Sequence, residues 1–253
     1  MSSESIRFSI ITVSYNSAET IGQTLASVQQ QDYPHIEHIV IDGLSKDNTV
    51  ELVRQFPHVS KLLSEKDEGT YDAMNKGIRM SSGDIIGILN SDDFYAEPGV
   101  IAKVAAVFAD PHIDACYADL QYVDWKDTRK VVRTWKSGPF ATRSFYWGWM
   151  PPHPTFFVRR TVYDRLGLFD TRLKTAADYE MMLRILLKHQ VHARYIPEVM
   201  VKMRTGGMSN ASVIHRLRAN KEDRLAWKLN GIQPYFFTLY MKPLRKITQF
   251  ITR

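Results

Sequence analysis

Through about residue 110 the chain alternates short, β-branched apolar runs with segments of helical period, and few folds accommodate that rhythm. FSIITVS, EHIVID, VSKLLS and DIIGILN read as strands, and about 18–31, 46–56, 70–81 and 98–109 read as helices. Strands interleaved with helices pair in parallel and keep helices on both faces of the sheet. The expected class is therefore α/β, with a mostly parallel central sheet flanked by helices. Such sheets bind ligands beyond the carboxyl ends of their strands. Thr12, Tyr15 and Asn16 follow the first run, Asp42 to Asp47 the second and Asn90 to Asp93 the fourth, so these polar clusters converge on one crevice. From about 114 the pattern changes to strand-like segments and an aromatic, proline-rich stretch, SFYWGWMPPHPTFF, read as a substrate-facing continuation of the domain.

In NSDD at 90–93, Asp92 and Asp93 are adjacent carboxylates that repel one another and resist desolvation. A hard cation, Mg2+ or Mn2+, shared with diphosphate oxygens would relieve both effects. A strand-to-helix turn that favours Ser and Asp is the structural alternative. DGLSKDNT at 42–49 also has two readings: Asp42 accepts from a base or ribose, or Ser45 and Asp47 serve a turn and a helix cap. TAADYEMMLRILLKH at 175–189 carries a helical apolar stripe, which puts Asp178 near the first turn, where a plain cap also explains a carboxylate. Arg204, in KMRTGGMSN, is either a clamp for a diphosphate or a solvated residue at a flexible boundary. His153 lies between prolines and reads as structural more readily than catalytic; Tyr146, Trp147 and Trp149 suit sugar stacking or the core equally.

Cys116 is the single cysteine, so no intrachain disulfide forms, and its apolar neighbours mark it as packing. The first residues lack the pattern of a secretion signal, and no apolar run approaches the roughly 18 residues that span a bilayer. A cytoplasmic protein, peripheral on the inner face of the plasma membrane if bound there, is expected. Nine Lys/Arg and two Asp/Glu lie in residues 214–253, against 24 and 25 in residues 1–213, so the charge is concentrated at the carboxyl end. There Phe236, Phe237, Leu239, Leu244, Ile247, Phe250 and Ile251 alternate with Lys242, Arg245, Lys246 and Arg253, which suits an anionic membrane surface better than nucleic acid.

Taken in order, SIITVSYNSAETIGQTLASVQQQDYPHIEHIVIDGLSKDNTVEL, DEGTYDAMNKGIRMSSGDIIGILNSDD, PHPTFF, GLFD and TAADYEMMLR resemble family 2 inverting glycosyltransferases, from about Phe8 to Arg204. The nearest likeness is to enzymes of bacterial exopolysaccharide and cell-surface polysaccharide assembly. The resemblance implies a GT-A fold, a nucleotide-diphosphate sugar donor, a glycan or lipid-linked sugar acceptor, and Mg2+ or Mn2+. It implies Thr12, Tyr15, Asn16 and Asp42 in the base and ribose pocket and Asp67 and Lys76 along the nucleotide. Asp92 falls on the metal, and Asp178 is the base that deprotonates the acceptor. Asn90 stands where the family's aspartate-any-aspartate motif begins with Asp, which leaves Asp92 and Asp93 to share the metal. The glutamine-arginine-tryptophan signature of processive members is missing, so single addition is expected.

On this reading residues 1–204 form the catalytic domain, with a nucleotide half at about 1–113 and an acceptor half at about 114–204. Residues 205–253 form a helical, basic, amphipathic tail. A nucleotidyltransferase is the enzymatic alternative, disfavoured because SYNSAE is no basic glycine-rich phosphate loop. A basic-tailed nucleotide- or nucleic-acid-binding protein is the non-enzymatic one. A dinucleotide oxidoreductase is disfavoured because no G-x-G-x-x-G follows a strand.

Overall fold

The computed structural model describes residues 5–206 and 213–248. The four apolar runs become β1 (Phe8–Ser14), β2 (Ile36–Asp42), β3 (Val59–Ser64) and β4 (Ile85–Ile88). Between or after them lie α1 (Ile21–Gln29), α2 (Thr49–Val53), α3 (Thr70–Met80) and α4 (Val100–Phe108), each inside its expected span. In α1, Ile21, Leu25 and Val28 recur at helical spacing and are all buried, so one stripe drives its docking. Gly77 lets α3 lie directly on β1, because a side chain there would strike Ile11.

β1 pairs in parallel with β2 on one side and β4 on the other, and β2 pairs in parallel with β3. The strand order thus reverses between β1 and β4, which opens a crevice at their carboxyl ends. The second half adds β5 (Asp93–Tyr95), β6 (Ala115–Val123), β7 (Val131–Trp135), β8 (Phe157–Arg159) and β9 (Ala193–Arg204), giving the order β3-β2-β1-β4-β8-β6-β9-β5 with β7 beside β6. Its pairings are antiparallel except for β6 with β9.

Helices α5 (Arg160–Leu166), α6 (Ala177–Met182), α7 (Val213–Leu229) and α8 (Thr238–Thr248) complete the chain. α6 runs on as a π-helix over Leu183–Lys188. One face of the sheet carries α3, α5, α6 and α7, whose shared core includes Ile11, Ile39, Tyr117, Met181 and Trp227. The other carries α1, α2 and α4, with Ile10, Val28, Val40 and Phe108 inside.

α7 lies in the segment read as a tail and packs on the body: Trp227 is fully buried and donates from its indole nitrogen to Tyr179 Oη at 3.0 Å. Glu222 accepts from Thr175 N at 2.7 Å and Thr175 Oγ1 at 2.8 Å, and Asn230 Nδ2 donates to Glu180 O at 3.3 Å. α7 is therefore bound to the start of α6. Phe250, Ile251 and Arg253 lie outside the described residues, as do the side chains of Lys246 and Ile247. Of the three loop aromatics, Trp149 is buried and donates to Ser137 O at 2.7 Å, and Tyr146 packs on Trp227 at 5.1 Å between ring centres. Trp147 is half exposed against Phe237.

Candidate active site

At the end of β1, Asn16 adopts a left-handed φ of 48°, a conformation Asn tolerates better than most residues. Its Oδ1 accepts from Lys46 N and its own N–H donates to Ser45 Oγ, both at 2.8 Å, so the β1 and β2 loops are tied together. Asp42 is fully buried, and its carboxylate is filled by Ser45 N at 2.9 Å, Ser64 Oγ at 2.7 Å, Ser14 Oγ at 3.1 Å and Ser45 Oγ. It builds the floor of the crevice and offers no free oxygen to a nucleotide.

Thr12 is also fully buried, hydrogen-bonded to His38 Nε2 at 3.0 Å, with His38 Nδ1 in turn 3.0 Å from His58 Nε2. Its expected place on the pocket surface is corrected: both faces of a parallel sheet are covered, so a polar residue inside a strand faces the core.

The pocket mouth is formed instead by Tyr15, Gly43 and Asp67. Tyr15 is 52% exposed, and a side chain on Gly43 would run into the Asp67 carboxylate beside Tyr15. Asp67 Oδ1 accepts from Gly69 N at 2.8 Å. Lys76 Nζ donates to Lys66 O at 2.9 Å and pairs with Glu65 at 2.8 Å and Asp72 at 3.4 Å; these two carboxylates raise its pKa, Glu65 foremost. Lys76 thus braces the loop that carries Asp67.

The 90–93 loop is pinned from two sides. Thr24 Oγ1 of α1 donates to Ser91 O at 2.9 Å and Asp93 O at 2.7 Å. Arg204, at the end of β9, donates from Nη1 to Asp92 O at 2.7 Å, reaches Gln23 Oε1 and stacks over Phe94. It is 6% exposed, so it is built into the loop rather than solvated at a boundary. Asn90 Nδ2 donates to Asp93 Oδ2 at 3.0 Å, while Asp93 Oδ1 is buried without a partner. Burial, then the neighbouring Asp92, push the Asp93 carboxyl well above the usual range; burial also raises Asp92, against the pull of Arg204.

That orphaned, hard oxygen beside the half-buried Asp92 fits a divalent cation. Among the described residues no third acidic, His or Cys ligand joins them. The protein side of such a site is therefore small, as expected where diphosphate oxygens complete the shell.

Across the crevice, Asp178 Oδ1 accepts from Tyr71 Oη of α3 at 2.9 Å. The residue that opens α6 is Ala176, and no side chain caps that helix start, so the capping role does not describe Asp178. His153 sits close enough for Asp178 to oppose the lowering of its pKa by burial. Burial raises the Tyr122 phenol, Arg133 over its ring at 3.6 Å opposes this, and the charges of both Asp93 and Asp178 add to the rise. Sequence reasoning passed over Tyr71, Tyr122 and Thr24. Only Tyr71 carried a signal, one helical turn before Asn75 in TYDAMN.

The model of glycosyl transferase family 2 matches residues 9–167, more than half of the chain. The chain belongs to that family. A glycosyltransferase of Mycobacterium tuberculosis, uncharacterized, is 34% identical over 182 residues, 71% of this chain and 68% of the relative. A family member named for PGL/p-HBAD biosynthesis in Mycobacterium bovis is 28% identical over 212 residues, 81% and 80% of the two chains. Among solved structures, the Pyrobaculum calidifontis mannosyltransferase in complex with GDP-Man and Mn2+ superposes with a TM-score of 0.67 at 21% identity, over 95% of this chain and 70% of that one. The family 2 chain thus has the GT-A fold that its sequence led us to expect.

Proposed function

We propose that this family 2 glycosyltransferase moves a sugar from a nucleotide-diphosphate donor to a hydroxyl acceptor in one displacement that inverts the anomeric carbon. The observation that carries this reading is the enclosed, unpartnered Asp93 oxygen beside Asp92, in a chain whose Asp178 carboxylate is held on one oxygen by Tyr71 at 2.9 Å. Tyr15, Asn16, Asp67 and Asn90 would bind base and ribose, on the frame set by Asp42 and Lys76. Asp92, with Asp93 behind it, would hold Mg2+ or Mn2+. When bound, that cation neutralises charge developing on the departing diphosphate.

Asp178 then accepts the acceptor proton as the hydroxyl attacks the face opposite the diphosphate. Inversion follows from a single attack, since the site brings forward one carboxylate rather than a nucleophile and an acid. The acceptor would be a glycan or a lipid-linked sugar of surface polysaccharide assembly; the Mycobacterium bovis relative is named for PGL/p-HBAD biosynthesis. Nucleic acid has no place in it.

A peripheral membrane position fits the carboxyl end, where Phe236 is 90% and Tyr240 63% exposed beside half-exposed Tyr235, Leu244 and Trp147. Lys242 is not part of that surface, because Asp223 holds it at 2.8 Å. Among the described residues no helix is long and apolar enough to cross a membrane.

Asp178→Asn tests the central role. Transfer from a panel of nucleotide sugars should fall about 10²–10⁴-fold while donor binding persists, since Asn keeps the shape and loses the basicity. Parent-like transfer by a folded variant would rule Asp178 out as the base.

A further inference from the structure

Asp178 is approached by a neutral phenol on only one of its oxygens. Tyr71 Oη donates to Oδ1 at 2.9 Å, and no hydrogen bond of a described side chain is made to Oδ2. Tyr71 itself is fixed: its ring stacks on Phe169 with centroids 5.6 Å apart and planes at 27°. Phe169 is in turn clamped by Asn75, one turn further along α3, whose Oδ1 accepts from Phe169 N and whose Nδ2 donates to Phe169 O, both at 2.9 Å. His153 closes the other side of Phe169, edge-on at 5.6 Å. Three segments far apart in sequence, TYDAMN, GLFD and PHP, therefore converge to hold one phenol against one carboxylate oxygen.

We infer that Tyr71 is a positioning residue for Asp178: it takes Oδ1, fixes the rotation of the carboxylate and leaves Oδ2 as the oxygen that meets the acceptor hydroxyl. The inference rests on Asp178 being the base. A carboxylate turns readily about its last bond, a broad torsion with low barriers, so an unheld Asp178 would spend much of its time misaligned. A neutral donor suits the task because it orients the carboxylate without cancelling its charge. Burial, then Asp178 itself, raise the phenol well above its ordinary value, so it keeps its proton through the working range.

Tyr71→Phe tests the idea with the ring and its stacking retained. Donor-nucleotide affinity and the melting midpoint should stay close to the parent, while kcat falls about tenfold, the loss of one hydrogen bond to a charged group. The loss should fall on kcat and leave the donor KM near the parent value, a split that a general loss of packing would not give.

An unchanged kcat, while Asp178→Asn is inactive, would overturn the role of Tyr71 and leave the base in place. Parent-like activity of Asp178→Asn would instead overturn the base.

Discussion

Arg204 donates from Nη1 to the main-chain oxygen of Asp92 at 2.7 Å, so the end of β9 sets the position of the loop that carries Asp92 and Asp93. Arg204→Lys keeps the charge and loses the fork that serves Asp92 and Gln23 together. Affinity for a nucleoside diphosphate with Mn2+, read by calorimetric titration, should fall about tenfold or more. A parent-like affinity would show that the loop holds its shape without the guanidinium.

Asp92 is the half-buried member of the acidic pair and Asp93 the enclosed one, so their replacements should differ in kind. Asp92→Ala should fold normally and lose the metal-dependent part of nucleotide affinity. Asp93→Asn should change the melting midpoint as well, since Asn90 depends on it for a partner. Full activity of the parent in excess chelator would remove the metal from the mechanism.

Acid should destabilise the protein well above the range where carboxylates titrate. Burial, helped by His58, depresses His38 from 6.5 to about 3. The unfolded chain therefore binds more protons between those values, so stability is complete above about pH 6.5 and falls as pH drops through the window. Between pH 8 and pH 5 the loss should be roughly 2 kcal/mol.

A second loss follows from Glu37. Despite burial, Lys61 at 2.7 Å and hydrogen bonds from Ser9 and Ser82 lower it from 4.5 to about 2, so its contribution is complete above about pH 4.5 and is lost as pH falls toward about 2. Urea midpoints at pH 8, 6 and 5 check the first window. His38→Gln should flatten the decline, and a variant that declines as steeply as the parent would clear His38.

Phe236→Ser with Tyr240→Ser should reduce co-sedimentation with anionic phosphatidylglycerol vesicles about tenfold and leave donor hydrolysis in solution unchanged. Equal sedimentation of parent and variant, or of the parent with anionic and neutral vesicles, would assign the aromatic surface to another partner.

The frame of this fold was legible because period and composition agree: β1, β3, β4 and α1 to α4 fall within the spans their apolar spacing marks, and β2 begins one residue earlier. What the spacing could not say is which way a polar residue faces inside a sheet covered on both sides. Thr12 and Asp42 are spent on internal hydrogen bonds for that reason. Nor does adjacency in sequence distinguish Asp92, half-buried in the turn before β5, from Asp93, which opens β5 and is enclosed. Tyr71 lies 107 residues from Asp178, and that separation is closed only by the packing of α3 on the loop at Phe169.

The bonds from Glu222, Trp227 and Asn230 to Thr175, Tyr179 and Glu180 bracket Asp178 from a helix some forty residues downstream. The segment that carries Asp178 thus owes its placement to a helix that follows the whole sheet in the chain. A chain cut between Arg204 and α7 should therefore keep every strand of the sheet and lose the struts of the segment around Asp178.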